Sequence, residues 1–241
     1  MASNNLKGGE RYRAGLPTLG ARLLAAANAV RPGRPAADIG CDHGKLAVWL
    51  ALRGISPRVI AVDSRPLPLA KARALAAQTG CADVVACRLG DGLAALAPGE
   101  AQEIIIAGLS GETIIALLDA CAWVRSPDMH LVLVPASRHE RLRRWLCTAG
   151  FAIDDETPVA EKGRVYTVLS VSYTGVPTSP GPLFYLLGQL PASPDKAAAA
   201  SYIAARLRNL KKQAAAPLPE AERAAHLQLV KEVEACLQSL Q

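Results

Sequence analysis

The residues Asp38-Ile39-Gly40-Cys41-Asp42-His43-Gly44 set the expected fold of this 241-residue chain. A short strand is predicted at residues 36–39, the turn at residues 40–44 comes next, and a helical stretch over residues 46–52 follows. A strand that passes through a glycine-rich turn into a helix is typical of the first unit of an open α/β sheet. In such sheets ligands bind where the strands end, so this turn is also the first candidate for a binding site.

The alternation of short strands and helices continues on both sides of this turn. Further strands are predicted at residues 58–63, 83–88, 103–107 and 130–134, with helices between most of them. The run Ile104-Ile105-Ile106 is typical of a central strand that is buried on both faces. Upstream, a helix is predicted whose cap is Thr18 and whose shared apolar face includes Leu19, Leu23, Leu24 and Ala27.

The pattern changes after Gly150. Residues 151–160 and 164–173 are both extended, and only Glu161-Lys162-Gly163 separates them. Since three residues cannot make a parallel crossover, these strands are predicted to form an antiparallel hairpin. Five strand–helix units closed by a hairpin give a Rossmann-like sheet of seven mostly parallel strands, which is the plan of class I methyltransferases. A nicotinamide-binding domain would instead add a second half-domain of the same kind.

Three segments are predicted along the chain. Residues 1–175 form the α/β methyltransferase domain, with a basic helical region at its start. Residues 176–194 are rich in proline and glycine and are predicted to be a linker. Residues 195–241 are predicted to form an antiparallel hairpin of two helices, because apolar residues recur there at spacings of three and four.

Acidic residues follow three consecutive predicted strands, at Asp38 and Asp42, at Asp63, and at Asp91. Carboxylates attract the positively charged sulfonium and amino groups of S-adenosylmethionine, whereas they repel the pyrophosphate of a dinucleotide. We therefore expect S-adenosylmethionine at these strand ends. Asp63 is placed to accept hydrogen bonds from the ribose hydroxyls, or alternatively to cap the next helix together with Ser64.

Glycines beside these acids are expected to let the ligand approach the backbone. Gly40 and Gly44 can do so in the first turn because they have no side chain. In the third, Gly90-Asp91-Gly92 is predicted to place Asp91 beside the exocyclic amine of an adenine, with Gly92 relaxing the turn.

The stretch Asp38–Leu46 resembles the motif Asp-Ile-Gly-Ser-Asp-His-Ala-Tyr-Leu of bacterial tRNA adenine-N1 methyltransferases, which modify adenine 22. Residues 90–93 and 106–108 resemble later motifs of that family, and the basic N-terminal helix and C-terminal helical hairpin resemble its two ends. The resemblance implies methyl transfer from S-adenosylmethionine to N1 of that adenine in the tRNA D-arm. It implies a cofactor site made of Asp38, Gly40, Asp42, Gly44, Asp63, Asp91, Gly92, Ala107 and Gly108.

The same resemblance implies that Asp42 and His43 are the catalytic candidates. Asp42 is expected nearest the methyl-transfer centre, where a carboxylate can stabilise a cationic product. His43 is expected either to position the ligand or to be structural. Because adenine N1 has a free lone pair, the reaction needs alignment rather than a strong base.

Two loops depart from the family's pattern. Leu109-Ser110-Gly111 stands where the family usually has Met-Gly-Gly, and Val134-Pro135-Ala136 stands where it tends to have Gln-Pro-Asn. Both follow strands at whose ends the acceptor base is expected to enter. Two other functions therefore stay open, namely a non-catalytic RNA-binding relative and a methyltransferase that acts on a small molecule.

Positive charge is concentrated in three segments of a chain whose formal net charge is +6. The local excess is five charges at residues 1–37, three at residues 138–144 and four at residues 195–212. Such clusters fit a nucleic-acid partner, which the resemblance implies to be tRNA, and they fit solvated helix faces equally well.

Composition excludes several classes of protein. No apolar run reaches the roughly 20 residues of a membrane span, and Met1–Asn5 has no apolar core for a secretory signal, so a cytoplasmic protein without a membrane partner is expected. The six cysteines and four histidines lack the spacing of a metal site. No metal is expected, and the cysteines are predicted to be free thiols in or near the core. The sequence does not indicate an oligomeric state.

Overall fold

The structure, a computed structural model, describes residues 15–217 and 219–240. The predicted basic helical region at the start of the chain therefore lies partly outside the described residues, including Lys7, Arg11 and Arg13. The helices and strands, in chain order, are α1 Ala21–Ala29, β1 Ala36–Ile39, α2 Lys45–Leu52, β2 Val59–Asp63, α3 Pro66–Thr79, β3 Val85–Leu89, β4 Glu103–Ala107, α4 Gly111–Asp119, β5 His130–Val134, α5 His139–Thr148, β6 Phe151–Glu161, β7 Arg164–Tyr173, α6 Pro182–Leu187, α7 Lys196–Ala214 and α8 Glu220–Gln238.

The seven strands form one sheet in the order β3-β2-β1-β4-β5-β7-β6. Strands β1 to β5 are parallel, while β7 runs antiparallel to both β5 and β6. This confirms the predicted Rossmann-like sheet with its terminal hairpin. Strand β1 pairs with β2 on one side and β4 on the other, so the turn after β1 lies at the middle of the sheet edge.

Helices cover both faces of the sheet. On one face, buried residues of α1, α2 and α3 pack on alternate residues of the central strands, such as Ala36 and Ile105. On the other face, α4 and α5 pack on the intervening residues, such as Ile39 and Ile104, and on residues of the hairpin strands. Because both faces are covered, the carboxyl ends of the strands are where a ligand can reach the sheet.

Helix α1 begins later than predicted and is capped by a distant residue. It starts at Ala21, and the Gly20 cap position makes no side-chain capping bond, so the prediction that Thr18 caps the helix is wrong. The Glu161 carboxylate at the end of β6 accepts a hydrogen bond of 2.8 Å from the Arg22 amide instead. Leu24 is 40% exposed rather than part of the apolar face, because Ala26, Ala27 and Val30 form the buried side.

The segment predicted to be a linker contains a helix of its own. Helix α6 buries Tyr185, Leu186 and Leu187, and the two leucines pack with residues of α7 and α8 in a third hydrophobic cluster. The C-terminal helical hairpin itself is confirmed as α7 and α8. The division of the chain at residues 175 and 195 stays a prediction.

Arg143 anchors this C-terminal part to the sheet. Arg143 belongs to the basic segment of residues 138–144, but its side chain is fully buried and its Nη2 donates to Glu156 Oε1 at 2.6 Å. Its Nη1 donates to the carbonyl oxygens of Tyr185 and Leu186, and Nη2 also donates to the Tyr202 hydroxyl. The guanidinium therefore joins α5, β6, α6 and α7, and it contributes no charge to the surface.

All six cysteines are free thiols, four of them buried and two partly buried, which confirms their prediction. Over residues 15–217 and 219–240, no helix is both long and apolar enough to cross a membrane. Within the same ranges, no three His, Cys, Asp or Glu side chains form a group that could hold a metal ion.

Candidate active site

A cavity of about 210 Å³ opens at the carboxyl ends of β1 and β4, beneath helix α1. It brings together five of the residues that the sequence singled out, namely Asp38, Gly40, Asp42, His43 and Ala107. Five further lining residues were not among the predicted site residues, namely Arg22, Leu23, Cys41, Lys45 and Leu46. The last three belong to the stretch Asp38–Leu46, whereas Arg22 and Leu23 come from helix α1, which precedes β1.

The turn after β1 is held in an uncommon backbone conformation. Gly40, Asp42 and Gly44 all have positive φ angles, of 75°, 50° and 69°. A side chain on Gly44 would also stand only 2.6 Å from the Cβ of Ala72 in α3. Gly44 is thus required for packing of the turn against α3, whereas Gly40 lines the cavity.

Asp63 at the end of β2 stabilises this turn through a hydrogen bond with its backbone. Its buried carboxylate accepts hydrogen bonds from the Asp42 amide at 2.9 Å, from the Arg65 amide at 2.9 Å and from Arg65 Nε at 3.2 Å. Burial alone would raise the pKa of Asp63, but the hydrogen bonds from Arg65 and Asp42 outweigh it and hold the pKa below its usual value. Asp63 is therefore ionised at neutral pH and fixes the position of Asp42. A contact of Asp63 with ribose stays a prediction.

The pKa of Asp38 is much higher than that of an ordinary aspartate. Burial raises its pKa to about 7, and the nearby charges of Asp63 and Asp42 add to that increase, although a hydrogen bond from the Ala47 amide opposes it. A carboxyl group that is buried beside two other carboxylates is poised to ionise when a positive charge arrives. This site therefore favours a cationic ligand.

Asp42 and His43 face solvent at the mouth of the cavity. Asp42 Oδ2 lies 3.5 Å from His43 Nδ1, and its Oδ1 lies 3.4 Å from Arg65 Nη2. On its other side, His43 Nε2 lies 3.4 Å from Lys71 Nζ. Both side chains can thus reach an incoming substrate, and their catalytic roles stay a prediction.

Five of the nine predicted cofactor residues do not line the cavity, namely Gly44, Asp63, Asp91, Gly92 and Gly108. Asp91 is exposed just beyond β3, whose end is tied to Asp63 by a backbone hydrogen bond from Gly90 of 3.1 Å. Gly92 is packed against the Leu117 side chain, which leaves no room for a side chain at position 92. This packing explains the glycine whether or not a ligand binds there. A Cβ on Gly108 would stand 3.2 Å from Arg22 Nη1, so Gly108 adjoins the cavity through that arginine.

The two loops that depart from the family pattern lie next to each other. The Ala136 amide donates to the Leu109 carbonyl at 2.8 Å, and the Gly111 amide donates to the Ser137 carbonyl at 2.8 Å. Ser110 caps α4 by accepting a hydrogen bond from the Thr113 amide. The two loops that depart from the family pattern are therefore joined by backbone hydrogen bonds at the ends of β4 and β5.

The chain matches a family model described as a methyltransferase domain over residues 19–169. A tRNA (adenine(22)-N(1))-methyltransferase of Bacillus subtilis (strain 168) is 31% identical over 172 residues, which cover 68% of this chain and 72% of that protein. The crystal structure of the B. subtilis m1A22 tRNA methyltransferase TrmK superposes with a TM-score of 0.75 at 26% identity, covering 93% of this chain and 97% of that chain. A Streptococcus pneumoniae protein proposed to be a tRNA (m1A22) methyltransferase gives a TM-score of 0.80 at 25% identity, covering 91% and 100%.

Proposed function

The chain belongs to the tRNA (adenine-22)-N1 methyltransferase family, and from that premise we propose that it transfers a methyl group from S-adenosylmethionine to N1 of adenine 22 in tRNA. The observation that carries this proposal is the cavity at the end of β1, where Asp38 and Asp42 line the wall and Asp63 supports it. Its chemistry suits a ligand with a sulfonium and an ammonium group. We also propose a cytoplasmic location, where tRNA is modified.

Each residue of the turn has a distinct part in this proposal. When bound, S-adenosylmethionine supplies an electrophilic methyl group on a positively charged sulfur. Asp38, at the floor of the cavity, holds positive charge of the amino-acid end, and Asp63 keeps the turn in place through the Asp42 amide. Asp42, at the mouth, stabilises the positive charge that appears on adenine once N1 is alkylated.

The proposal that tRNA is the substrate is supported by a second groove, of about 540 Å³, between the hairpin turn and α7. Arg164, Arg206 and Arg208 line it together with Tyr166, so it combines positive charge with an aromatic ring. Phosphates and unstacked bases are bound by such combinations. Tyr166 also contacts Arg22, which lines the cofactor cavity, so the groove leads toward that cavity.

Cofactor affinity is expected to rise with pH through about 7, where Asp38 titrates. Below that pH the free protein holds a proton on Asp38, and a cationic ligand must displace it. Each pH unit below 7 should therefore weaken S-adenosylmethionine binding by up to about tenfold, with a proton released on binding. Calorimetry from pH 6 to pH 8.5 in two buffers of different ionisation enthalpy measures both quantities.

Asp38→Asn is the control for this experiment because it removes the titrating group while keeping its shape. The variant should bind more weakly at pH 8, and subtracting its pH profile removes contributions from other groups of the protein and from the ligand. If the wild type and the variant have the same pH profile, Asp38 does not contact the cationic end of the cofactor.

The function itself is tested by incubating the protein with labelled S-adenosylmethionine and unmodified tRNA. Label should enter tRNA and be recovered as 1-methyladenosine. A non-catalytic RNA-binding relative would bind tRNA without transfer. A small-molecule methyltransferase would instead bind tRNA weakly and with little dependence on salt.

A further inference from the structure

The amino-acid end of S-adenosylmethionine carries a carboxylate as well as positive charges. The acidic residues of the cavity suit the positive groups but would repel this carboxylate. The negative charges of Asp63 and Asp42 already raise the pKa of Asp38. A further anion near these three residues would therefore be unfavourable. The ligand therefore needs a positively charged partner elsewhere on the cavity wall.

Arg22 is placed to be that partner. Its side chain lines the cavity from α1, opposite the turn that follows β1. Its Nη1 lies 3.2 Å from the position that a Cβ of Gly108 would occupy, so the guanidinium reaches the end of β4. Lys45 also lines the cavity, but it is exposed at the first residue of α2, where water competes for its charge.

Within the described part of the chain, the surroundings of Arg22 hold the guanidinium in position without using its hydrogen bonds. The Arg22 amide donates to Glu161, which fixes the first turn of α1 against the hairpin. The guanidinium carbon lies 5.1 Å from the centre of the Tyr166 ring, and Nε is buried without a hydrogen-bond partner among the residues that the structure describes. Across residues 15–217 and 219–240, Arg22 forms no salt bridge. A buried donor of this kind is costly unless a ligand satisfies it.

We propose that Arg22 binds the α-carboxylate of the amino-acid end of S-adenosylmethionine. This inference rests on the proposed function and adds a cofactor-binding residue that no motif identified. A guanidinium can donate two parallel hydrogen bonds to a carboxylate, which an ammonium group cannot. The cavity thus has an acidic side at Asp38 and Asp42 and a basic side at Arg22.

The test compares two ligands that differ only in this carboxylate, S-adenosylmethionine and decarboxylated S-adenosylmethionine. For Arg22→Met, calorimetry should show a Kd for S-adenosylmethionine that is roughly 10- to 100-fold higher than that of the wild type. The Kd for the decarboxylated ligand should change by less than about twofold, because no carboxylate is lost. Arg22→Lys keeps the charge without the paired hydrogen bonds and should give an intermediate loss for S-adenosylmethionine alone.

Arg53→Met is the matched control, since Arg53 also packs over an aromatic ring, that of Trp49 at 5.7 Å, but outside the cavity. It should bind both ligands as the wild type does. Equal losses of both ligands in Arg22→Met and Arg22→Lys, or no loss of either, would overturn the inference. So would weaker tRNA binding with unchanged S-adenosylmethionine binding, which would place Arg22 at an RNA phosphate. If the wild type binds neither ligand, the proposed function fails as well, so the two failures are distinguishable.

Discussion

Asp42→Asn is expected to lower kcat/KM for tRNA methylation by about 100- to 1,000-fold, the usual effect of removing one preorganised electrostatic group from an active site. Asn matches Asp in shape and tolerates the left-handed conformation that residue 42 adopts, with φ 50°. The hydrogen bond from its amide to Asp63 is also retained, because the backbone makes it. The substitution therefore removes little except the negative charge at the mouth of the cavity.

Initial rates of labelled-methyl transfer at saturating S-adenosylmethionine measure this effect, with the cofactor Kd determined separately. Asp119→Asn is the control, since Asp119 is an exposed aspartate that pairs with Arg125 at the end of α4. It should transfer methyl groups at the wild-type rate. If Asp42→Asn keeps more than half of the wild-type activity, Asp42 has no catalytic role. A loss confined to the Kd would assign Asp42 to cofactor binding alone.

Glu156→Gln is expected to lower the free energy of unfolding by about 3–5 kcal/mol. The Arg143 and Glu156 side chains are both fully buried, so the substitution leaves a positive charge inside the protein without its partner. Arg143 also holds the carbonyl oxygens of Tyr185 and Leu186. We therefore expect the C-terminal segment to loosen together with the loss of stability.

Urea unfolding followed by circular dichroism measures the change in stability. Glu140→Gln provides a matched control on α5, the helix that carries Arg143, because Glu140 pairs with Arg144 at 3.5 Å with both side chains more than half exposed. That substitution should cost less than about 0.5 kcal/mol. Similar losses for the two variants would show that the buried pair does not anchor α6 and α7.

The sheet could be predicted from sequence because its signals are local. Strands β1, β4 and β5 match their predicted ranges, since each is a short apolar run bounded by turn residues. The hairpin followed from a gap of three residues. The acids at this edge of the sheet could also be found locally, because Asp38 lies at the end of β1 and Asp42 in the turn that follows it.

Features that depend on distant partners could not be predicted in this way. Thr18 had a suitable side chain for a cap, but Glu161, some 140 residues away, supplies the bond to the Arg22 amide. Arg143 stood among exposed arginines, and nothing near it in the sequence indicates that Glu156 neutralises it inside the protein. From the sequence, Arg22 is only one of the basic residues of segment 1–37, because its place on the cavity depends on how α1 crosses the sheet.

The most direct test of methyl transfer to adenine 22 is mass spectrometry of an unmodified tRNA transcript after incubation with the protein and S-adenosylmethionine. The account predicts a single 1-methyladenosine, mapped by nuclease fragments to position 22, and none in a transcript with guanine at that position. Absence of 1-methyladenosine from a transcript with adenine 22, under conditions in which the protein binds S-adenosylmethionine, would contradict it.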